Sequence, residues 1–187
     1  MSDGFIHPLV GRATASTTRT NVRQERLAKE VTELFERWRP GLFRYLSSLG
    51  LAQHDREEVI QETFLSLFAH LQKEKSRANL GGWLFRVAHN LGLKHQYAIQ
   101  RAAGSVADVD AIAHPALNPE EQMSRVRREK QLQSVLNALP AQDRRCLYLR
   151  AEGLRYREIA GVLGTSLAGV AASLERSLTR LQRACQR

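Results

Sequence analysis

Residues 55–90 read DREEVIQETFLSLFAHLQKEKSRANLGGWLFRVAHN. Ile60, Phe64, Leu67, Phe68 and Leu71 recur at the spacing of one buried stripe on an α-helix. The opposite face carries Asp55, Glu58, Gln61 and Glu62, and Asp55, Glu57 and Glu58 fall in the first turn, where carboxylates favour the positive end of the helix dipole. Pattern alone reads this face either as solvated charge or as a docking surface. Lys75, Arg77 and Asn79 then precede Gly81 and Gly82, which predicts a polar loop turning sharply at the glycines and presenting donors. In the helix after this loop, Leu84, Val87, Ala88 and Leu91 form the inner stripe, while Arg86 and Asn90, four apart, project together from another face and are available to a ligand.

Upstream, apolar periodicity runs from Leu27 through Val31, Leu34, Phe35, Trp38, Leu42, Tyr45 and Leu46 to Leu49, and Gly50 is a stop signal. The stripe keeps phase across Pro40, so one kinked helix is expected, packed as the third member of a bundle. Residues 1–24 are rich in Thr, Ser and Arg with little to bury and read as a disordered basic arm. Downstream, the second helix of the central stretch continues to about Ile99. His89 and His95, six apart, do not share a helical face as metal ligands, and both are expected at the surface or toward nucleic acid.

Residues 102–122 mix Ala, Gly and Pro with Asp108, Asp110, Glu120 and Glu121 and show no period, the composition of a linker. From Met123 a second helical unit begins, with Val126, Leu132, Val135, Leu136 and Leu139 apolar and Pro140 as its end. Next comes a helix with Cys146, Leu147 and Leu149 inward, closed near Gly153. Residues 155–181 then have the layout of a helix-turn-helix: Ile159, Ala160, Val162 and Leu163 inward, Gly164 at the turn, and Ser166 placed to cap a second helix that buries Val170, Leu174, Leu178 and Leu181. A plain helical hairpin has the same pattern, but the Gly-Thr-Ser turn favours a DNA reader.

The 187 residues suffice for two small domains, and the formal charge of +9 makes a polyanion a natural partner. Residues 123–187 hold 13 Lys and Arg against 5 Asp and Glu, so the excess concentrates in the helix-turn-helix half. Cys146 and Cys185 have no neighbouring His or Cys at zinc-ligand spacing and read as reduced cytosolic thiols. No apolar run is long enough for a membrane span and no secretion signal is evident, which places the chain in the cytoplasm without a membrane partner. Paired carboxylates, a nucleophile with a base, and a metal cluster are all missing from the pattern, so neither an enzyme nor a cofactor is expected.

The segments DREEVIQETF and WLFRVAHNL resemble the second region of the extracytoplasmic-function sigma factors of bacterial RNA polymerase at Asp55, Glu57, Gln61, Glu62, Thr63, Phe64, Trp83, Leu84, Arg86, Ala88 and Asn90. LPAQDRRCLYLRAEGLRYREIAGVLG resembles the same family's fourth region. The resemblance implies an all-α chain of two small helical domains joined by a flexible linker: the arm at 1–24, region 2 over 25–101, the acidic linker over 102–122 and region 4 over 123–187. By the same resemblance Asp55, Glu58, Gln61 and Glu62 would meet the clamp helices of the polymerase beta-prime subunit. Lys75, Arg77, Asn79, Arg86, His89, Asn90 and Lys94 would hold the minus-ten promoter element, and Arg155, Ser166, Leu167, Gly169, Ala171, Ala172, Ser173, Glu175 and Arg176 the minus-thirty-five element.

Two departures from the family pattern stand out. Where relatives carry a run of arginines after the Asn, this chain has Lys94, His95, Tyr97, Gln100 and Arg101, hence fewer phosphate contacts. Ala171 and Ser173 replace customary cations, and Glu175 adds a carboxylate that can accept from a cytosine amino group but repels phosphate. The resulting expectation is an alternative sigma factor that binds core polymerase and promoter DNA and is open to an anti-sigma partner. The thinned cations also fit a sigma-like decoy that binds an anti-sigma partner but no promoter. A stand-alone helix-turn-helix regulator would have no use for the acidic-amide face.

Overall fold

The computed structural model describes residues 10–103 and 132–185. The expected linker beyond residue 103 and the start of the second unit through 131 lie outside the described residues.

Helix α1 spans Val10–Ser48 without a break at Pro40. Leu27, Leu42, Tyr45, Leu46 and Leu49 are buried along it, so the stripe does hold phase through the proline. The helix starts far ahead of the expected apolar onset. Residues 10–24, expected in a free arm, extend it, because Ala and Arg there are good helix formers and propagation from a packed helix costs little. Gly50, with φ of 80°, ends the run in the left-handed region.

Helix α2, Gln53–Gln72, packs antiparallel on α1 with Val59, Ile60, Phe64, Leu67 and Leu71 inward. Phe35 meets Phe64 edge-on at 4.9 Å between ring centroids, worth about 1 kcal/mol beyond the buried area. Helix α3, Leu80–Ala103, completes the bundle and buries Leu84, Phe85 and Ala88. Trp38 and Tyr45 both stand edge-on to Phe85, so the aromatic residues of α1 are core. The turn between α2 and α3 is not made by the glycines. Glu74 and Asn79 take the positive φ values, 53° and 55°, and the Asn79 carboxamide accepts from the Gly82 amide at 3.1 Å as a cap. Gly81 and Gly82 belong to the first turn of α3, where a side chain on Gly81 would strike the Trp38 ring.

In the second half a helical stretch over 132–137 leads into α4 (Ala141–Ala151), α5 (Tyr156–Leu163) and α6 (Leu167–Cys185). Gly153 and Gly164, with φ of 88° and 64°, make the two turns. The inner face of α6 is Val170, Ser173, Leu174 and Ser177, at the i, i+3, i+4, i+7 spacing. Leu178, expected inside, is 52% exposed, because the small serines that face α4 set the helix's rotation. Leu132, also expected to be apolar core, is exposed. The described residues contain no strand. The buried residues of the two halves form one contiguous cluster, from Tyr45 and Phe85 through Cys146, Leu149, Ile159 and Val162.

Candidate functional site

Three surfaces bear on function. The first is the outer face of α2, where Glu58, Gln61 and Glu62 are exposed and Asp55 is half-buried. Arg56, from the middle of the same acidic segment, turns inward instead and lies over the Phe43 ring at 4.3 Å, its Nε and Nη1 without partners. The face is therefore purely acidic and amide. Beside it Leu65 is 63% exposed, on a groove of about 460 Å³ between α1 and α2 lined by Phe35, Arg39, Gln61, Phe64 and Phe68. Leu65 and this groove set apolar surface beside Gln61, which the helical stripe did not reveal.

The second surface is the α2–α3 turn and the outer face of α3. Arg86, Asn90 and Lys94 are exposed in line along it, as the four-residue spacing requires. Lys75, Arg77 and Asn79 are exposed in the turn, but Arg77 is held by Glu30 through Nε at 3.0 Å and Nη2 at 3.2 Å, and Asn79 is engaged as the α3 cap. His89 departs from expectation. It is 5% exposed, its Nδ1 lies 2.8 Å from the Tyr45 hydroxyl, and burial, with Arg145 nearby, pushes its pKa down to about 4. It is a neutral core residue because it falls on the inward side of α3, one position from Ala88. His95 faces α2, where its ring nitrogen and the carboxylates of Asp55 and Glu58 lie within 4.8 Å of one another. Beyond them Tyr97 and Ile99 expose apolar surface at 65% and 37%.

The third surface is the outer face of α6. Ser166 caps the helix, its Oγ accepting from the Gly169 amide at 3.0 Å, as its position predicts. Leu167, Ala171 and Glu175 are exposed, Ala172 and Gly169 partly so, and Arg155 is exposed at the start of α5, where its amide donates to Glu158. Ser173 does not join them, and Arg176 is exposed but engaged. Ser173 is 1% exposed, and Arg176 donates to Asp143 on α4 through Nη2 at 2.7 Å and Nε at 3.0 Å. The Arg176 hydrogen bonds hold the Asp143 carboxyl below the usual carboxylate range. Arg176 is thus engaged by Asp143 on one side while its side chain stays 54% exposed.

The two halves also meet directly. Arg44 on α1 donates through Nε and Nη2 to the Glu152 carboxylate at the end of α4, at 2.8 and 2.9 Å. Glu152 passes over Gly41, where a side chain would run into its carboxylate. Gly161 on α5 lies against the Arg86 guanidinium, which an added Cβ would displace. Between α3 and α5 remains a cleft of about 430 Å³ lined by Arg86, His89, Asn90, Leu93 and residues 161–164.

Residues 34–101 match the family description "Sigma-70 region 2" and residues 129–181 match "Sigma-70, region 4". The chain is 31% identical over 153 residues to the ECF RNA polymerase sigma factor SigE of Mycolicibacterium smegmatis, covering 80% of this chain and 59% of that one. It is 30% identical over 126 residues to the probable RNA polymerase sigma factor RfaY of Xanthomonas campestris, covering 65% and 32%. It therefore spans about three fifths and one third of the length of these two relatives. In fold it is similar to the sigma factor RpoE of Bartonella quintana, solved in complex with the anti-sigma factor NepR, with a TM-score of 0.65 and 22% identity over 84% of this chain and 98% of that one. Three-helix bundle and helix-turn-helix, in this order, define a two-domain chain of the sigma-70 type. The chain belongs to the extracytoplasmic-function sigma factors.

Proposed function

We propose that the protein is an alternative sigma factor that binds core RNA polymerase through the outer face of α2 and directs it to a subset of promoters in the cytoplasm. It is a specificity subunit without chemistry of its own. The observation that carries this is the joint presence of an exposed acidic-amide face at Glu58, Gln61 and Glu62 and a capped reading helix with an open outer face at Leu167, Ala171 and Glu175. A stand-alone regulator needs only the second, a decoy only the first.

Beside the docking face, Arg86, Asn90 and Lys94, with Lys75 and the α2–α3 turn, hold the minus-ten element. An unstacked base captured there offsets a cost of a few kcal/mol for opening the duplex. Arg155, Leu167, Ala171, Ala172 and Glu175 read the minus-thirty-five element, with Ser166, Gly169, Ser173 and Arg176 as the frame that positions them. SigE is named as an ECF RNA polymerase sigma factor and RpoE was solved with NepR, which supports polymerase, promoter DNA and an anti-sigma protein as the partner classes. No helix of the described residues is long and apolar enough to cross a membrane.

The test is run-off transcription from fragmented genomic DNA with purified core polymerase, with and without the protein and its Gln61→Ala, Glu62→Ala double variant. New specific transcripts that vanish with the variant are expected. Core binding without any transcript would instead identify a decoy.

A further inference from the structure

We propose that α1 sets the pose of the α2–α3 turn, with Glu30 and Arg23 as positioning residues and Arg77 as a strut rather than a phosphate contact. The turn that receives an unstacked base is thereby held in its receiving shape before DNA arrives. The inference rests on the assignment of this turn to the minus-ten element.

The turn covers residues 73–79 and is fastened along its whole length. Arg23 pairs with Glu74, the residue that ends α2 in the left-handed region where a glycine is usual. Arg77 donates to both Glu30 carboxylate oxygens, at 3.0 and 3.2 Å, a two-pronged grip that fixes direction as well as distance. Between these points the His70 Nε2 donates to the Ser76 carbonyl at 2.9 Å, and the His70 ring lies against Trp83 at 4.7 Å between centroids. Asn79, the second left-handed residue, is fixed by its cap on Gly82.

The α1 residues that make these contacts share one row. Arg23 and Glu30 are two helical turns apart, and Trp38, eight residues further on, continues the row to the start of α3, where it closes on Gly81. The buried apolar residues of α1 begin at Leu27, and residues 21–26 are exposed throughout. Burial therefore gives the helix no use for these residues, whereas the Arg23 contact does. Two exposed ion pairs add little to stability, so their effect falls on which pose of a short polar turn is populated. A turn ordered in advance binds more tightly than one that must be ordered on contact. Lys75, between the two fastened points, is exposed, so it is presented to DNA while Arg77 is occupied.

The sign of the Glu30→Gln effect separates a strut from a phosphate contact. This substitution removes a negative charge beside the turn, so it strengthens promoter opening if it frees Arg77 for phosphate and weakens opening if Arg77 is a strut. The full chain is tested with core polymerase on a promoter fragment recovered by run-off transcription, with permanganate reactivity of thymines reading strand opening. Amide exchange in the free chain reads residues 73–79. Glu30→Gln and Arg77→Gln, opposite in charge change, are both expected to weaken opening by about threefold to fivefold, the size of one exposed pair, and to speed exchange across the turn by a similar factor. The swap Glu30→Arg with Arg77→Glu, at the parent's net charge, is expected to restore both readouts. Arg23→Gln is expected to speed exchange at 73–76, and unchanged exchange there would remove Arg23 from the clamp. Unchanged exchange in both Glu30→Gln and Arg77→Gln would overturn the tether. Stronger opening with Glu30→Gln, or a swap that stays as weak as Arg77→Gln, would overturn the strut. A parent that opens no promoter, or opening unaffected by Lys75→Ala and Asn90→Ala, removes the minus-ten assignment and the positioning role with it, while the exchange data still judge the tether by itself.

Discussion

Arg176 on α6 grips Asp143 on α4 with two hydrogen bonds, at 2.7 and 3.0 Å, and Asp143 is 1% exposed. A buried carboxylate that loses its partner retains its desolvation cost. Arg176→Ala is expected to destabilise the helix-turn-helix half, read as a lower midpoint of denaturant unfolding. Arg176→Lys recovers only part of the loss, because an ammonium cannot reproduce the two-pronged geometry. If Arg176 instead served DNA alone, Arg176→Ala would leave stability unchanged.

The His89 ring sets a pH limit on the fold. Its folded pKa is about 4 against an ordinary 6.5, so in that window the unfolded chain binds a proton that the folded chain does not. Stability is full above pH 6.5 and falls as pH drops toward 4. Thermal melts across this window are expected to show a falling midpoint that flattens in His89→Gln, whose carboxamide still accepts from the Tyr45 hydroxyl. Asp143 adds to the same direction lower down, its depressed pKa conferring stability that is lost as pH falls through the acid range below 3.8.

The docking face separates from stability. Gln61 and Glu62 are exposed on the outer face of α2, so the double alanine variant is expected to melt within about 0.5 kcal/mol of the parent while losing roughly tenfold or more in core polymerase affinity. Fluorescence anisotropy with labelled protein measures the second quantity and calorimetry the first.

Glu175 is exposed on the outer face of α6, the face proposed to read DNA. Replacing it with Gln removes a charge and keeps the shape. Selection of binding sites from a random pool is expected to return a changed preference at one upstream position, by about 1–3 kcal/mol of discrimination, and stronger overall binding at low salt. An unchanged preference would remove Glu175 from base reading.

Helical period and turn chemistry made much of this chain legible in its sequence. Phase carried through Pro40 announced one continuous α1, Gly164 and Ser166 announced the turn and the cap of α6, and Arg86 with Asn90 four residues on announced a shared face. Misreadings came where a residue's type pointed to the surface and its register did not. His89 and Ser173 are polar, yet each sits on an inward row, and only their neighbours Tyr45 and Asp143 show why they are tolerated there. Arg56 is a cation inside an acidic run, and its place over Phe43 depends on α1, remote in sequence. The seam between the domains was out of reach for the same reason: Gly41 and Gly161 look like casual glycines until Glu152 and Arg86 are brought beside them.

The serine cap and the inward row of α6 have a consequence for how such a protein changes over time. Direction is set by Ser166, Val170, Ser173, Leu174 and Ser177, together with the grip of Arg176 on Asp143. Leu167, Ala171 and Glu175 contribute nothing to that direction, so they are free to vary without loosening the helix that carries them. With this face reading DNA as proposed, new promoter vocabularies are open to a gene duplicate one outward residue at a time, with foldability intact at every step.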